Sequence, residues 1–245
     1  MNTNNQIGIN TEAYKKLKGF CKTHKYTSLG AINIYLSELG FSYSSETIMK
    51  YLQQLKKEKI IYSAGRGYYS TIKNEFTIDS KEYQPLIAQI KNKYPLLEFS
   101  LWSTKMLASA FHHTQNIFYI FIYADSDSLI FLRDFLLNND FHLYLNPSKN
   151  DKNIFLKNNT IILRPGITRS KSKEMISSIE KILVDFYLEC EKLNIVDLSE
   201  YKKVFTNLFS IYRINISSLL DYAERRKIDK EIKNIILKYA NATLF

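Results

Sequence analysis

The chain has 245 residues, 45% hydrophobic and 24% charged, a balance that excludes a disordered or fibrous protein and suits one large domain or two smaller ones. Its net charge of +10 is uneven: residues 1–74 hold eleven Lys/Arg against four Asp/Glu, whereas the other 171 residues hold 23 against 20. A concentrated positive field favours a polyanionic partner, nucleic acid before membrane, because no strongly apolar amphipathic helix or lipidation signal accompanies it. Cys21 and Cys190 are the only cysteines, which excludes a disulfide framework or a zinc motif. The polar start MNTNNQIGIN and the lack of a span-length apolar run predict a cytoplasmic protein with no membrane association.

The first predicted helix covers Thr11 to His24, with Tyr14, Leu17, Phe20 and Cys21 on one stripe and lysines between them. Ser28 can cap a second, which carries Ile32, Leu36 and Leu39 to a stop at Gly40. A third starts near Ser44 or Ser45, places Glu46 in its first turn where the helix dipole favours an anion, and buries Ile48, Leu52 and Leu55. The stretch IIYSAGRGYYS then reads as two short strands closed by Gly65-Arg66-Gly67.

Three helices and a hairpin predict a winged helix-turn-helix over residues 1–74, with the third helix in the position that enters a DNA major groove. Ser44, Ser45, Thr47, Lys50, Tyr51 and Gln54 lie off the Ile48/Leu52/Leu55 stripe and are the candidates to face double-stranded DNA. Lys25, Lys56 and Lys57 are candidate phosphate contacts. Arg66, on a thin glycine-flanked tip, is the candidate wing anchor.

Residues 73–80 read as a polar linker, and 75–245 as a mixed α/β domain with a helical C-terminal region, so the predicted fold class is α/β (α+β). A helix is expected from Tyr83 to Lys93, a buried central strand at 116–124, a helix capped by Asp125-Ser-Asp-Ser, and strands at 141–146 and 159–165. Helices follow over 173–194, 199–212 and 216–240; the first carries Ile176, Ile179, Leu183, Phe186 and Cys190 on one stripe. Trp102 reads as core.

FSLWSTKMLASAF (99–111), IEKILVDFY (179–187) and YRINISSLLDYAERR (212–226), in that order behind GRGYY, resemble the AbiE-type antitoxin-like proteins of bacterial abortive-infection operons. The likeness covers most of residues 45–227. It implies an N-terminal DNA-binding domain that represses its own operon, and a C-terminal domain that neutralises a nucleotidyltransferase-like toxin. It supplies no catalytic motif to carry over.

The expected function is therefore a DNA-binding transcriptional regulator without catalytic activity, metal or cofactor. Two alternatives come from other classes. One is a protein-interaction module whose winged helix never meets DNA. The other is a metal-dependent nuclease or nucleotidyltransferase using Asp125 and Asp127, against which Asp-Ser-Asp-Ser reads more simply as an N-cap. Glu180 and Lys181 read as surface pairs, and Arg225, Arg226 and Lys227 as a solvated basic helix end.

Overall fold

A computed structural model describes residues 11–151, 155–166 and 175–244. In chain order its α-helices and strands are α1 (Glu12–Thr23), β1 (Tyr26–Ser28), α2 (Leu29–Glu38), α3 (Ser45–Lys57), β2 (Tyr62–Ser63), β3 (Tyr68–Ser70), α4 (Gln84–Lys93), β4 (Phe99–Ser103) and β5 (Tyr119–Ala124). They continue with α5 (Ser128–Leu137), β6 (Leu143–Leu145), β7 (Thr160–Pro165), α6 (Ile179–Leu193), α7 (Leu198–Ile211), α8 (Ile216–Arg225), α9 (Asp229–Tyr239) and β8 (Ala242–Thr243).

The chain divides into two compact units. The first runs to Phe76 and takes in Leu208–Asp221 and the segment from Asp229 onward; the second is Thr77–Asn207 with Tyr222–Ile228. The boundary expected after residue 74 thus falls two residues later, but 75–245 is not one continuous domain. The C-terminal segments rejoin the first unit because they complete its sheet and satisfy its polar groups. β8 pairs in parallel with β1, Ser28 Oγ donates to Leu244 O at 2.8 Å, and Tyr26 Oη donates to Tyr212 O at 2.7 Å while accepting from Ile214 N at 3.0 Å. A sequence scan by local pattern has no access to such returns.

In the first unit, side-chain oxygens of Thr11, Ser28 and Ser44 accept from Tyr14 N, Ala31 N and Thr47 N, so each of the three helices begins at a hydroxyl cap. Leu17, Cys21, Ile32, Leu36, Ile48, Leu52 and Leu55 meet in one core. Each large aliphatic side chain buried there contributes about 1.5–3 kcal/mol. Leu39, expected on the second helix's buried face, is 41% exposed because it forms the C-cap, one residue past the helix. The sheet order is β2-β3-β1-β8, with β3 antiparallel to both β2 and β1.

The turn carrying Arg66 is braced rather than a free, thin tip. Gly65 and Gly67 have φ of 108° and 78°, which L side chains rarely adopt. Ile216 N donates to Ala64 O at 2.7 Å, Leu29 N to Gly67 O at 2.8 Å, and Arg66 N to Ser217 Oγ at 3.1 Å. A Cβ on Gly65 would collide with Asn215 Oδ1 and Ser217 Oγ and lie 2.9 Å from Ser217 N, so glycine here is required by close packing as well as by φ. The start of the expected linker is also held. Arg213 N donates to Asn74 O at 2.6 Å, the Arg213 guanidinium pairs with Glu75, and Phe76 meets Tyr212 edge-on at 5.0 Å.

The second unit is built on the sheet β4-β5-β7-β6, in which β5, β7 and β6 are parallel and β4 runs antiparallel to β5. Trp102, fully buried, stacks on Phe121 at 4.3 Å. β4 has no counterpart among the predicted strands: all five of its residues are buried, so it shows no two-residue alternation. The helix predicted from 173 begins at Ile179, where Ser178 Oγ caps Lys181 N; residues 173 and 174 lie outside the described residues. Ile176 instead bridges to Leu101 beside the sheet. The helix predicted over 216–240 is two, α8 and α9, separated at Lys227, whose φ is 61°.

Candidate functional site

α3 presents its outward face through Lys50, Gln53 and Lys57, all exposed and spaced i, i+3, i+7, with exposed Lys56 beside them, its Nζ 5.1 Å from the centre of the Tyr69 ring. Ser44 and Ser45 are exposed at the helix start, but Ser44 Oγ is occupied as the cap and bonds Thr47 Oγ1 at 3.2 Å, and Thr47 is half-buried. Tyr51 departs from its expected outward position. It is 2% exposed, its hydroxyl bonds Thr11 Oγ1 at 3.0 Å and its ring lies 5.5 Å from Tyr14, because position 51 completes the Ile48/Leu52/Leu55 stripe. Gln54 is half-buried and donates to Glu58 Oε1 at 3.0 Å, so its neighbour Gln53, which the stripe argument passed over, takes the exposed position.

Glu58 also accepts from Tyr14 Oη and Lys18 Nζ, each at 2.7 Å. The Lys18 bond, followed by those from Gln54 and Tyr14, holds the Glu58 carboxyl down to about 2. Lys25, expected on a phosphate, directs its ammonium to Ser210 O at 3.3 Å. The Arg66 side chain is exposed on its braced turn.

The second unit contains a buried ionic cluster that the sequence reasoning missed. Lys181, Asp185 and Glu189 recur every four residues along α6 and so share one face. Arg164 of β7 donates Nε to both Glu189 oxygens at 2.9 and 3.1 Å, Nη2 to Oε2 at 2.5 Å, and Nη1 to Asn146 Oδ1 at 3.0 Å and Pro147 O at 2.6 Å. Tyr123 Oη donates to Glu189 Oε1 at 3.1 Å. Asp185 accepts from Tyr222 Oη at 2.9 Å and faces Arg226 Nη2 at 3.4 Å. Arg226, expected at a solvated helix end, is 5% exposed. Lys181, expected in a surface pair, is half-buried: its Nζ donates to Ser100 Oγ at 2.6 Å and lies 5.6 Å from the ring centres of Tyr123 and Tyr222. The sequence signal available was the polar spacing K181-x3-D185-x3-E189 inside the apolar stripe of α6.

Ser100, Tyr123 and Lys181, at the edge of this cluster, line a cleft of about 760 Å³. The cleft opens at the carboxyl ends of β5 and β7, beside Ala124 and Gly166, the position where α/β sheets hold ligands. Asp125 lines it too, but its carboxylate accepts from Ser128 Oγ at 2.6 Å and from the backbone N–H groups of Asp127 and Ser128, and the Ser128 hydroxyl bond leads in lowering its pKa. Asp125 thus closes the turn into α5, and Asp127 makes no side-chain cap bond. Among the described residues, no group of three or more His, Cys, Asp or Glu could hold a metal, and no helix is long and apolar enough to cross a membrane.

Burial raises the Asp185 carboxyl to about 6, outweighing the attraction of Arg226 and Lys181. A folded-state pKa above the unfolded value of about 3.9 means that the folded protein binds the proton more tightly. The stabilisation from protonated Asp185 is therefore complete below pH 4 and is lost as pH rises from about 4 to 6. Asp185→Asn should flatten that limb of a Tm-against-pH profile; an unchanged slope would contradict this assignment.

The two units together define a mixed α/β protein with a basic helical face in one unit and a cleft over buried ions in the other. The chain belongs to a family of unknown function, DUF6577, which matches residues 47–242. No curated protein matches it.

Proposed function

We propose that this chain is a DNA-binding transcriptional regulator, the antitoxin-like autorepressor of an abortive-infection type toxin–antitoxin operon. The first unit acts as a winged helix, with α3 in the major groove of its operator. The observation that carries this is the outward face of α3, where Lys50, Gln53 and Lys57 stand exposed beside Lys56. The element order α1-β1-α2-α3-β2-β3 and the β2-β3-β1 sheet support it, since a winged helix needs one strand between its first two helices and a hairpin after its third. The lysines supply sequence-independent phosphate attraction; Gln53, with Ser45 at the helix start, reads base edges. Arg66 meets the backbone from its turn. The resemblance to AbiE-type proteins supports a nucleotidyltransferase-like toxin as partner of the second unit.

Fluorescence anisotropy on duplex DNA from upstream of the gene and on a scrambled duplex, across a salt series, tests the proposal. Preference for the native duplex, with affinity falling steeply as salt rises, is the expected result. Equal or absent binding to both would overturn it and favour the second reading, a protein-docking module. That reading draws on exposed Ile34 and Leu39, at 52% and 41%, on the first unit.

A further inference from the structure

The ionic cluster of the second unit is unbalanced. It sets three cations, Arg164, Arg226 and Lys181, against two carboxylates, Asp185 and Glu189. Arg164 is matched by Glu189 and Arg226 by Asp185. The surplus charge falls on Lys181, which forms no ion pair among the described residues and has donated only to the neutral Ser100 hydroxyl. An ammonium carries three donors, and burial lowers this one's pKa, so an anion beside it would relieve both deficits. Lys181 is also the cation of the three that lines the cleft.

The rest of the cleft restricts the anion. Its lining includes Tyr94, Phe99 and Phe131, and Phe131 is 64% exposed. A site with a half-buried cation at its inner end, apolar residues in its lining and convergent polar groups fits a small amphiphile better than a polyanion. Exposed Lys93 and exposed Asp125 in the same lining offset one another, and Lys181 then calls for a single negative charge on the ligand. We infer that the cleft is a binding site for a small monoanion, a carboxylate or sulfonate with an aromatic or apolar body, whose charged end meets Lys181 and Ser100 and whose body lies against Phe99 and Phe131. This site is independent of whether the first unit binds DNA.

The test uses the full chain and 8-anilinonaphthalene-1-sulfonate, whose fluorescence rises in an apolar site. Expected is saturable one-to-one binding, displaced by benzoate but not by the similarly shaped, uncharged benzyl alcohol. Lys181→Met should weaken it about tenfold or more, a lost charge-assisted contact. Phe131→Glu, on the exposed rim and so without cost to folding, should weaken it as well, and the Tm of each variant checks that the fold persists. Unsaturable binding, equal displacement by both competitors, or undiminished affinity in the Phe131→Glu protein would overturn the inference. DNA anisotropy does not enter the readout, so failure here leaves the regulator proposal untouched.

Discussion

Arg164→Met should destabilise the second unit by about 3–5 kcal/mol, the cost of leaving a buried charge without its partner. Arg164 is 2% exposed and Glu189 is fully buried. Removing the guanidinium leaves that carboxylate with the Tyr123 hydroxyl, and strips Asn146 Oδ1 and Pro147 O of their donors at the end of β6. Urea unfolding followed by Trp102 fluorescence reads this directly, because the only tryptophan is stacked in the same unit's core. The double variant Arg164→Met/Glu189→Met should recover a large part of the loss, since an apolar pair of similar volume needs no desolvation of charge. Additive losses in the two single variants and the double would mean that the pair does not act as a unit.

That cluster is also the part of the molecule least legible in the sequence. Thr11, Ser28 and Ser44 were legible as helix starts because capping is local chemistry, and β5 and β7 were legible as β-branched and aromatic runs between polar turns. The positions of Lys181, Asp185 and Arg226 were not. Charged residues are read as solvated by default, and the partners that bury these come from β4, β5 and the segment after residue 221, far away in sequence. Tyr51 was misplaced for a related reason: tyrosine suits either a core or a surface, and only the hydroxyl of Thr11, forty residues earlier, shows that it points inward. Likewise, Gly65 was legible as a turn glycine, but its close approach to Asn215 and Ser217 depends on a segment 150 residues later.

The outward face of α3 gives the second large effect. Lys50→Ala/Lys57→Ala should weaken binding to the native and scrambled duplexes alike, by about 30-fold at 0.15 M salt, and reduce the slope of log affinity against log salt by about 2, if each ammonium releases one counterion. Gln53→Ala should act differently, narrowing the gap between the two duplexes with little change in slope, because an amide contributes to readout and not to phosphate attraction. Arg66→Ala should behave like a single lysine, with its turn preserved by the backbone bonds of Ala64, Arg66 and Gly67. Tyr51→Phe supplies the contrast. It removes a part-buried hydroxyl bond to Thr11 and should lower the Tm slightly while leaving the salt slope and duplex preference intact. A Tyr51→Phe protein that lost DNA binding while Lys50→Ala/Lys57→Ala retained it would place the interface elsewhere on the first unit.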